Sequence, residues 1–327
     1  MFDISVVICA YTEERWHELV AAVESVKQQS FPPKEIIVVI DHNPSLAELA
    51  GTVLKDEVLV ENNNPRGLSG ARNCGIKAAT GDVIAFLDDD ALASPDWLER
   101  LIPHYENPKI MGVGGKIEPI YLKGRPTWFP EEFDWVVGCT YRGLPETIAT
   151  VRNLIGCNMS FRRDVLELTG GFKTEVGRIG ERPVGDEETE LCIRSSQQIK
   201  DGILLYDPKA RVRHRVPAER ANWHYLVQRC YSEGLSKAQL SRMIGARDGL
   251  ASERDYTLKT LPKGLGRGIV DFLARRDPGA LGRMFAILVG FGATASGYII
   301  AKTVLSMTRS ALDHHVYLSN EGVKSAE

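Results

Sequence analysis

Through the N-terminal third of the chain, short apolar runs alternate with longer segments whose apolar residues recur at helical spacing. Ile4 to Cys9 reads as a buried strand. Glu14 to Gln29 places Leu19, Val20, Val23 and Val26 on one helical face, and Phe31-Pro32-Pro33 ends it. Glu35 to Ile40 is a second strand, Pro44 to Leu54 a helix, Val58 to Glu61 a third short strand and Ser69 to Thr80 another helix. Val83 to Leu87 is a continuous apolar run, the signature of a strand covered on both faces. Alternating units of this size predict an α/β fold, a mostly parallel sheet with right-handed crossovers.

After Ala91 the pattern loosens. Ile110 to Gly115 and Leu154 to Phe161 predict strands, as do the short runs Ile203 to Tyr206 and Arg211 to Arg215. Residues 118 to 147 mix Tyr121, Trp128, Phe129, Phe133, Trp135 and Tyr141 with prolines and glycines. This insert is either a substrate-side wall or a small satellite core, and Trp128 and Trp135 are its candidates for contact with a substrate. Thr174 to Gly185 predicts a mobile loop, Glu187 to Ser196 a helix opening on acids, and Ala218 to Met243 a helix.

The organising stretch is Val83 to Asp90, where the apolar run delivers Asp88, Asp89 and Asp90. In open α/β sheets ligands bind beyond the carboxyl ends of the strands. Alternate residues of an extended segment share a face, so Asp88 and Asp90 can point together. Carboxylates with substrate phosphates are what Mg²⁺ takes as ligands. Two readings stand: a metal–diphosphate site, or a solvated turn capping the helix that starts near Ser94-Pro95-Asp96. Asp41 ends the second strand and would reach the same crevice. Asp186, Glu187, Glu188 and Glu190 open a helix, where the macrodipole favours acids and where a general base can also sit. His214 stands at a strand end, as a structural residue or a metal ligand.

Composition narrows the class. The 327 residues are 43% hydrophobic and 25% charged with a net charge of −3, ordinary for a globular protein and against a general nucleic-acid binder. Six scattered cysteines without a C-x-x-C pair imply buried free thiols in a reducing compartment. Met1-Phe2-Asp3 before so short an apolar run does not make a signal peptide.

Taken in order, these pieces resemble the family 2 glycosyltransferases of the GT-A fold. They are V-I-C-A-Y-T-E (Val7 to Glu13), Asp41, the stretch from Asn64 to Ile76, and A-T-G-D-V-I-A-F-L-D-D-D (Ala79 to Asp90). G-C-N-M-S-F-R-R (Gly156 to Arg163), Gly170-Gly171-Phe172, G-D-E-E-T-E-L-C-I-R (Gly185 to Arg194), His214-Arg215-Val216-Pro217 and Y-S-E-G-L-S-K-A (Tyr231 to Ala238) follow. The resemblance covers roughly residues 3 to 240. It implies a GT-A domain over 1–243 and an inverting transfer of a sugar from a nucleoside-diphosphate donor, with UDP the commonest. Ala10, Tyr11, Glu13, Asp41, Arg72, Asn73, Asp88 and Asp89 would lie about the donor. Asp90 and His214 would hold Mg²⁺ or Mn²⁺, Asn158 would face the sugar or acceptor, and Glu188, with Glu187 beside it, would supply the base. Processive members carry Q-x-x-R-W; the nearest stretch here, Gln228-Arg229-Cys230-Tyr231, lacks it, implying addition of one sugar or a few. A nucleotidyltransferase would need a glycine-rich loop where Ala10-Tyr11-Thr12-Glu13 stands, and a non-catalytic sugar-nucleotide-binding protein would not need Glu188 and His214 together.

Residues 244–327 differ. Lys263, Arg267, Arg275, Arg276, Arg283, Lys302 and Arg309 are met only by Asp271 and Asp277 between Pro262 and Arg309, and Met284 to Ala301 carries no charge. The segment 284–308 is long enough to cross a bilayer, and Arg275, Arg276 and Arg283 before it place the catalytic part on the cytoplasmic face. Gly290, Gly292, Ala293, Thr294, Ser296 and Gly297 suit close helix packing within a bilayer. A buried helix, a dimer contact and a helix lying in the interface remain open. Membrane attachment fits a lipid-linked or cell-envelope saccharide acceptor.

Overall fold

The computed structural model describes residues 2–175, 185–245 and 251–324. Its N-terminal half follows the alternation of the sequence: β1 (Ile4–Ala10), α1 (Trp16–Lys27), β2 (Glu35–Ile40), α2 (Pro44–Val53), β3 (Val58–Glu61), α3 (Leu68–Ala78) and β4 (Val83–Asp88). Then come β5 (Ala91–Ala93), α4 (Trp97–Leu101), β6 (Ile110–Tyr121), β7 (Ala149–Thr150), β8 (Asn158–Arg162), α5 (Arg163–Thr169), α6 (Glu187–Gln198) and β9 (Ile203–Val216). The C-terminal part is helical: α7 (Trp223–Ile244), α8 (Ala251–Asp255), a π turn at Tyr256–Thr260, α9 (Leu261–Ala274) and α10 (Gly279–Lys324). Most of the loop expected at 174–185 lies outside the described residues, at 176–184.

One sheet holds all nine strands in the order β3-β2-β1-β4-β8-β6-β9-β5, with β7 on β9. β3, β2, β1 and β4 pair in parallel. β8 is antiparallel to both β4 and β6, β6 is parallel to β9, and β5 is antiparallel to β9. Side-chain alternation divides the core into two layers. Ile4, Val6, Ile8, Val83, Ala85 and Leu87 meet α1, α2 and α4 on one face. Val7, Ile84 and Phe86 meet the layer of α3, α5 and α6 on the other.

β4 and β5 are neighbours in the chain yet far apart in the strand order, so the sheet curls back on itself. Ala91 then pairs with His214 of β9, and the Arg215 N–H donates to the Asp90 carbonyl at 3.0 Å. This pairing sets Asp90 beside His214, a neighbourhood no local pattern announces.

Three strand boundaries differ from the sequence reading. The runs at Ile203 and Arg211 are one strand, β9, with a register shift opposite Gly115/Lys116 that absorbs Pro208 to Ala210. β6 continues to Tyr121 because β9 pairs with its whole length. The strand expected from Leu154 begins only at Asn158, since Leu154 to Cys157 turn away and the Gly156 carbonyl accepts a hydrogen bond from Arg72.

Asn158 explains why the strand starts there. Fully buried, it accepts from Trp97 Nε1 at 2.8 Å and donates to the carbonyls of Ala210 (2.9 Å) and Lys116 (3.1 Å). A Cβ on Gly115 would stand 2.6 Å from Asn158 Nδ2 and 1.9 Å from the Ala210 carbonyl, so only glycine lets these backbones approach. Truncation strands three buried polar groups, each at a cost of roughly 1–3 kcal/mol before relaxation. Asn158→Ala is expected to lower unfolding free energy by about 2–4 kcal/mol in urea titration. A variant of unchanged stability with a raised acceptor KM would instead mark Asn158 as an acceptor contact.

Candidate active site

A cavity of about 500 Å³ opens at the carboxyl ends of β1, β2 and β4, where the strand pattern placed it and of a size usual for small-molecule sites. Ala10, Tyr11, Asp41, Arg72, Asp88, Asp89, Asp90, Trp135, Glu187, Glu188 and His214 line it, all singled out in the sequence. Glu13, Asn73, Trp128 and Asn158 do not. Glu13 is exposed and accepts from Asn43 Nδ2 at 2.8 Å. Asn73 exchanges two hydrogen bonds with the Phe172 backbone, tying α3 to the Gly-Gly-Phe turn. Trp128 stacks on Trp223 with ring centroids 4.1 Å apart, and Trp223 meets the Phe285 ring at 5.6 Å, so this half of the aromatic insert packs onto the main core rather than forming a separate one. Trp135 and the neighbouring Val136 and Val137 form wall.

Asp41 is held rigidly: its Oδ1 accepts from Asn62 Nδ2 at 2.6 Å and its Oδ2 from the Gly67 N–H at 3.0 Å. The triple-acid turn is met by the guanidinium groups of Arg15, Arg72 and Arg220 and by the His214 ring, all from separate elements. Arg15 reaches Asp89 and Asp90, each at 2.9 Å, and lies over the Tyr11 ring at 4.8 Å. Arg72 reaches Asp88 at 3.5 Å, His214 Nε2 stands 3.1 Å from Asp90 Oδ1, and Arg220 lies 3.8 Å from Asp90. Burial raises the Asp89 carboxyl, only partly offset by Arg15, to about 8. Burial acts on Asp90 too, but His214, Arg15 and Arg220 outweigh it and hold that carboxyl well below the usual range. Arg15 and Arg220 carry no motif, and nothing in their local sequence marks them.

The three acids after Gly185 have different surroundings. Asp186 adopts left-handed backbone at φ 75°, a conformation that aspartate enters more readily than most residues with a side chain, and is held by Lys237 at 2.6 Å. Glu187 pairs with Arg72 at 3.1 Å. Glu188, half-buried in the wall, has no ion-pair partner within 4 Å among the described residues. Burial and then the charge of Glu187 push its carboxyl up to about 8. Beyond it lies a compact group of charges the sequence reading did not assign: Arg229 with Glu233 (2.9 Å), Lys237 with Glu233 and Glu253 (3.2 Å each), and Arg152 with Glu253 (2.8 Å). Arg229, Glu233 and Lys237 recur at i, i+4 on α7, a legible signal. Arg152 and Glu253 come from distant segments and carry none.

The donor set fits a hard or borderline divalent ion. Two cis ligands at Mg²⁺-like bond lengths of about 2.1 Å stand roughly 3.0 Å apart, close to the 3.1 Å between Asp90 Oδ1 and His214 Nε2. A carboxylate with a histidine also accommodates Mn²⁺.

Comparison with known proteins identifies the family and the fold. Residues 5–169 match the family described as Glycosyl transferase family 2, a span that stops before Glu188 and His214. The glucosyl-dolichyl phosphate glucuronosyltransferase of Haloferax volcanii is 41% identical over 239 residues, 72% of this chain and 76% of that protein. The succinoglycan biosynthesis protein ExoM of Rhizobium meliloti is 28% identical over 246 residues, 72% of this chain and 74% of that protein. Among solved structures, the Pyrobaculum calidifontis mannosyltransferase PcManGT, in complex with GDP-Man and Mn²⁺, superposes with a TM-score of 0.57 at 19% identity, covering 93% of this chain and 86% of that one. The curled sheet with flanking helices is thus the GT-A fold, and with its family span and its 41% relative the chain belongs to the family 2 glycosyltransferases.

Proposed function

We propose that the protein is an inverting, non-processive transferase that moves a sugar from a UDP-sugar to a hydroxyl of a lipid-linked or cell-envelope saccharide. The observation that carries this reading is the state of Glu188. Of the acids 186–188 it alone has no ion-pair partner among the described residues, and it shares one cavity with Asp41 and Asp88 to Asp90.

The residues divide the work. Asp41, held by Asn62 and the Gly67 N–H, presents a carboxylate edge to the base or ribose. Asp88, at the end of β4, would stand between the ribose and the cation. Arg15 and Arg72 supply positive charge beside the diphosphate. Asp90 and His214 would hold Mg²⁺ or Mn²⁺, which when bound neutralises charge on the departing diphosphate. Glu188 takes the proton of the acceptor hydroxyl as that oxygen attacks the anomeric carbon from the face opposite the diphosphate, which inverts the configuration. We read the sugar as a hexuronic acid. Glucuronosyl transfer is the named activity of the 41% relative and is what supports this choice; Arg152, Arg229 and Lys237 on the wall beyond Glu188 are balanced by Glu233, Glu253 and Asp186.

The C-terminal helices supply the acceptor's setting. The most apolar 18-residue window within Gly279–Val304 has a mean hydropathy of 1.8, and only 22% of that window is buried. Its small residues have two different environments. A Cβ on Gly297 would stand 2.1 Å from the Tyr231 carbonyl and one on Gly234 2.1 Å from the Thr294 carbonyl, so α10 packs backbone to backbone against α7. Gly290 meets the Phe133 ring, whereas Gly292 faces open space. The side turned from the domain exposes Leu281, Phe285, Leu288, Ile299, Ile300 and Val304, and α9 adds Ile269, Val270, Phe272 and Leu273. Packing along α7 favours a helix lying in the interface over one spanning the bilayer, with the exposed Arg276 at the α9–α10 turn facing anionic headgroups and Arg275 beside it paired with Asp271 at 3.2 Å. Phe291, Thr294, Ala295 and Tyr298 of α10 also line the cavity, so an acceptor held by a lipid tail reaches Glu188 from that side.

Five outcomes are expected. In thermal shift with Mn²⁺, UDP-glucuronate raises the melting temperature more than UDP-glucose; Asp90→Ala or excess EDTA abolishes transfer, and full activity in EDTA would refute the metal's role. Glu188→Gln lowers turnover by at least about 10²-fold with donor binding retained. Because the base must be deprotonated, wild-type kcat/KM rises with pH to a plateau above about 8; a Glu188→Gln enzyme that stays active while Glu187→Gln is silent moves the base by one position. Phe285→Asp with Leu288→Asp lowers partitioning onto anionic vesicles by at least about tenfold while soluble-acceptor activity persists; unchanged partitioning argues against the membrane face.

A further inference from the structure

The same cavity holds a donor that the oxygen-and-nitrogen pair does not use. One ligand atom from each of Asp88, Cys157 and His214 lies within 4.8 Å of the others. Cys157 is 3% exposed and lines the cavity. Its position is fixed from both sides: the Gly156 carbonyl is bonded to Arg72 at 3.3 Å, and Asn158 is clamped between β6, β9 and Trp97. The charge of Arg72 beside Asp88 is shared with Glu187, 3.1 Å away, so it does not stand alone against a cation. The His214 ring is held as well. Cys139 Sγ lies 3.9 Å from its Nδ1, and Gly138, at φ 79°, leaves room against the ring that a side chain would narrow.

We propose that Cys157 is a protein ligand of the cation site, acting with His214 and Asp88, and that it gives the site a preference for thiophilic divalent ions over Mg²⁺. The proposal rests on the reading of a metal-dependent transferase. Sulfur, imidazole and carboxylate together suit Zn²⁺, Co²⁺ or Cd²⁺ better than an all-oxygen set does. Ligand atoms about a tetrahedral zinc stand roughly 3.5 Å apart, so three donors already within 4.8 Å of one another need only small side-chain movements to bind it. The thiol proton leaves to solvent as the ion binds, and no oxidant or reductant is involved. The consequence is a site in which zinc, once bound, displaces the Mn²⁺ or Mg²⁺ that turnover uses.

Cobalt titration of the full chain tests this and separates it from the underlying reading. Visible d–d bands report cobalt in the site whatever its ligands, and a near-ultraviolet thiolate-to-cobalt charge-transfer band reports sulfur ligation. Wild type is expected to show both, Cys157→Ser to keep the visible bands and lose the near-ultraviolet band, and Cys139→Ala to keep both. Zinc affinity is expected to fall at least about tenfold in Cys157→Ser, with Mn²⁺ affinity changing less than about threefold. Visible bands without the charge-transfer band in wild type overturn the sulfur ligand and leave the metal reading standing. No cobalt uptake by wild type overturns both. Should Cys157→Ser fail to fold, cadmium NMR of wild type decides: a sulfur ligand moves the resonance far downfield, and a resonance at the oxygen–nitrogen position overturns the proposal.

Discussion

The burial of negative charge at one end of the sheet governs the rest of this molecule. Asp41, Asp89, Asp90, Asp186 and Glu187 are all buried around a single cavity, and isolated carboxylates cannot be desolvated without partners. Each is answered from a different part of the chain: Asp89 and Asp90 by Arg15, Asp90 by His214 and Arg220, Glu187 by Arg72, Asp186 by Lys237, and Asp41 by neutral donors. The cavity is therefore a meeting of the first loop, α3, β4, α6, β9 and α7. Against that background an acid left without such a partner stands out, and Glu188 is one.

The curl of the sheet makes the meeting possible. β4 ends at Asp88 and β5 starts three residues later, yet β5 belongs to the opposite edge of the strand order. Pairing Ala91 with His214 brings an acid from the parallel half against a histidine from the mixed half. The closure needs close backbone approaches, supplied at Gly115, and a residue that ties β8 to β6 and β9, supplied by Asn158. Asn158 is thereby a structural clamp, and the loop just before it carries Cys157 and the Gly156 carbonyl to the cavity wall.

The helical part is continuous with the site. α7 bears Arg229, Glu233 and Lys237 on the face toward the cavity, while Gly234 and Tyr231 meet α10. α10 in turn presents Phe291 and Tyr298 to the cavity and Phe285, Leu288 and Ile299 to the outside. One helix thus contributes to both an inner wall and an outer apolar face.

Much of this was legible in the chain. The parallel half of the sheet, the helices between its strands and the strand-end acids all follow from local periodicity, because a buried strand and an amphipathic helix each impose their own spacing on nearby residues. The ordered motifs from Val7 to Ala238 pointed to the family and to Asp41, Asp90, Glu188 and His214, all of which line one cavity. What local pattern could not contain were the long-range partners. Arg15 meets Asp90, Arg152 meets Glu253 and Trp128 meets Trp223 only because the sheet curls and the C-terminal helices fold back over it. Asn158 shows the distinction most plainly. Its motif marked it as a residue of consequence, but whether it faced a sugar or held three elements together depended on where Trp97, Lys116 and Ala210 came to lie. A side chain's hydrogen-bonding capacity is written in its own chemistry, whereas the groups that satisfy it are chosen by packing.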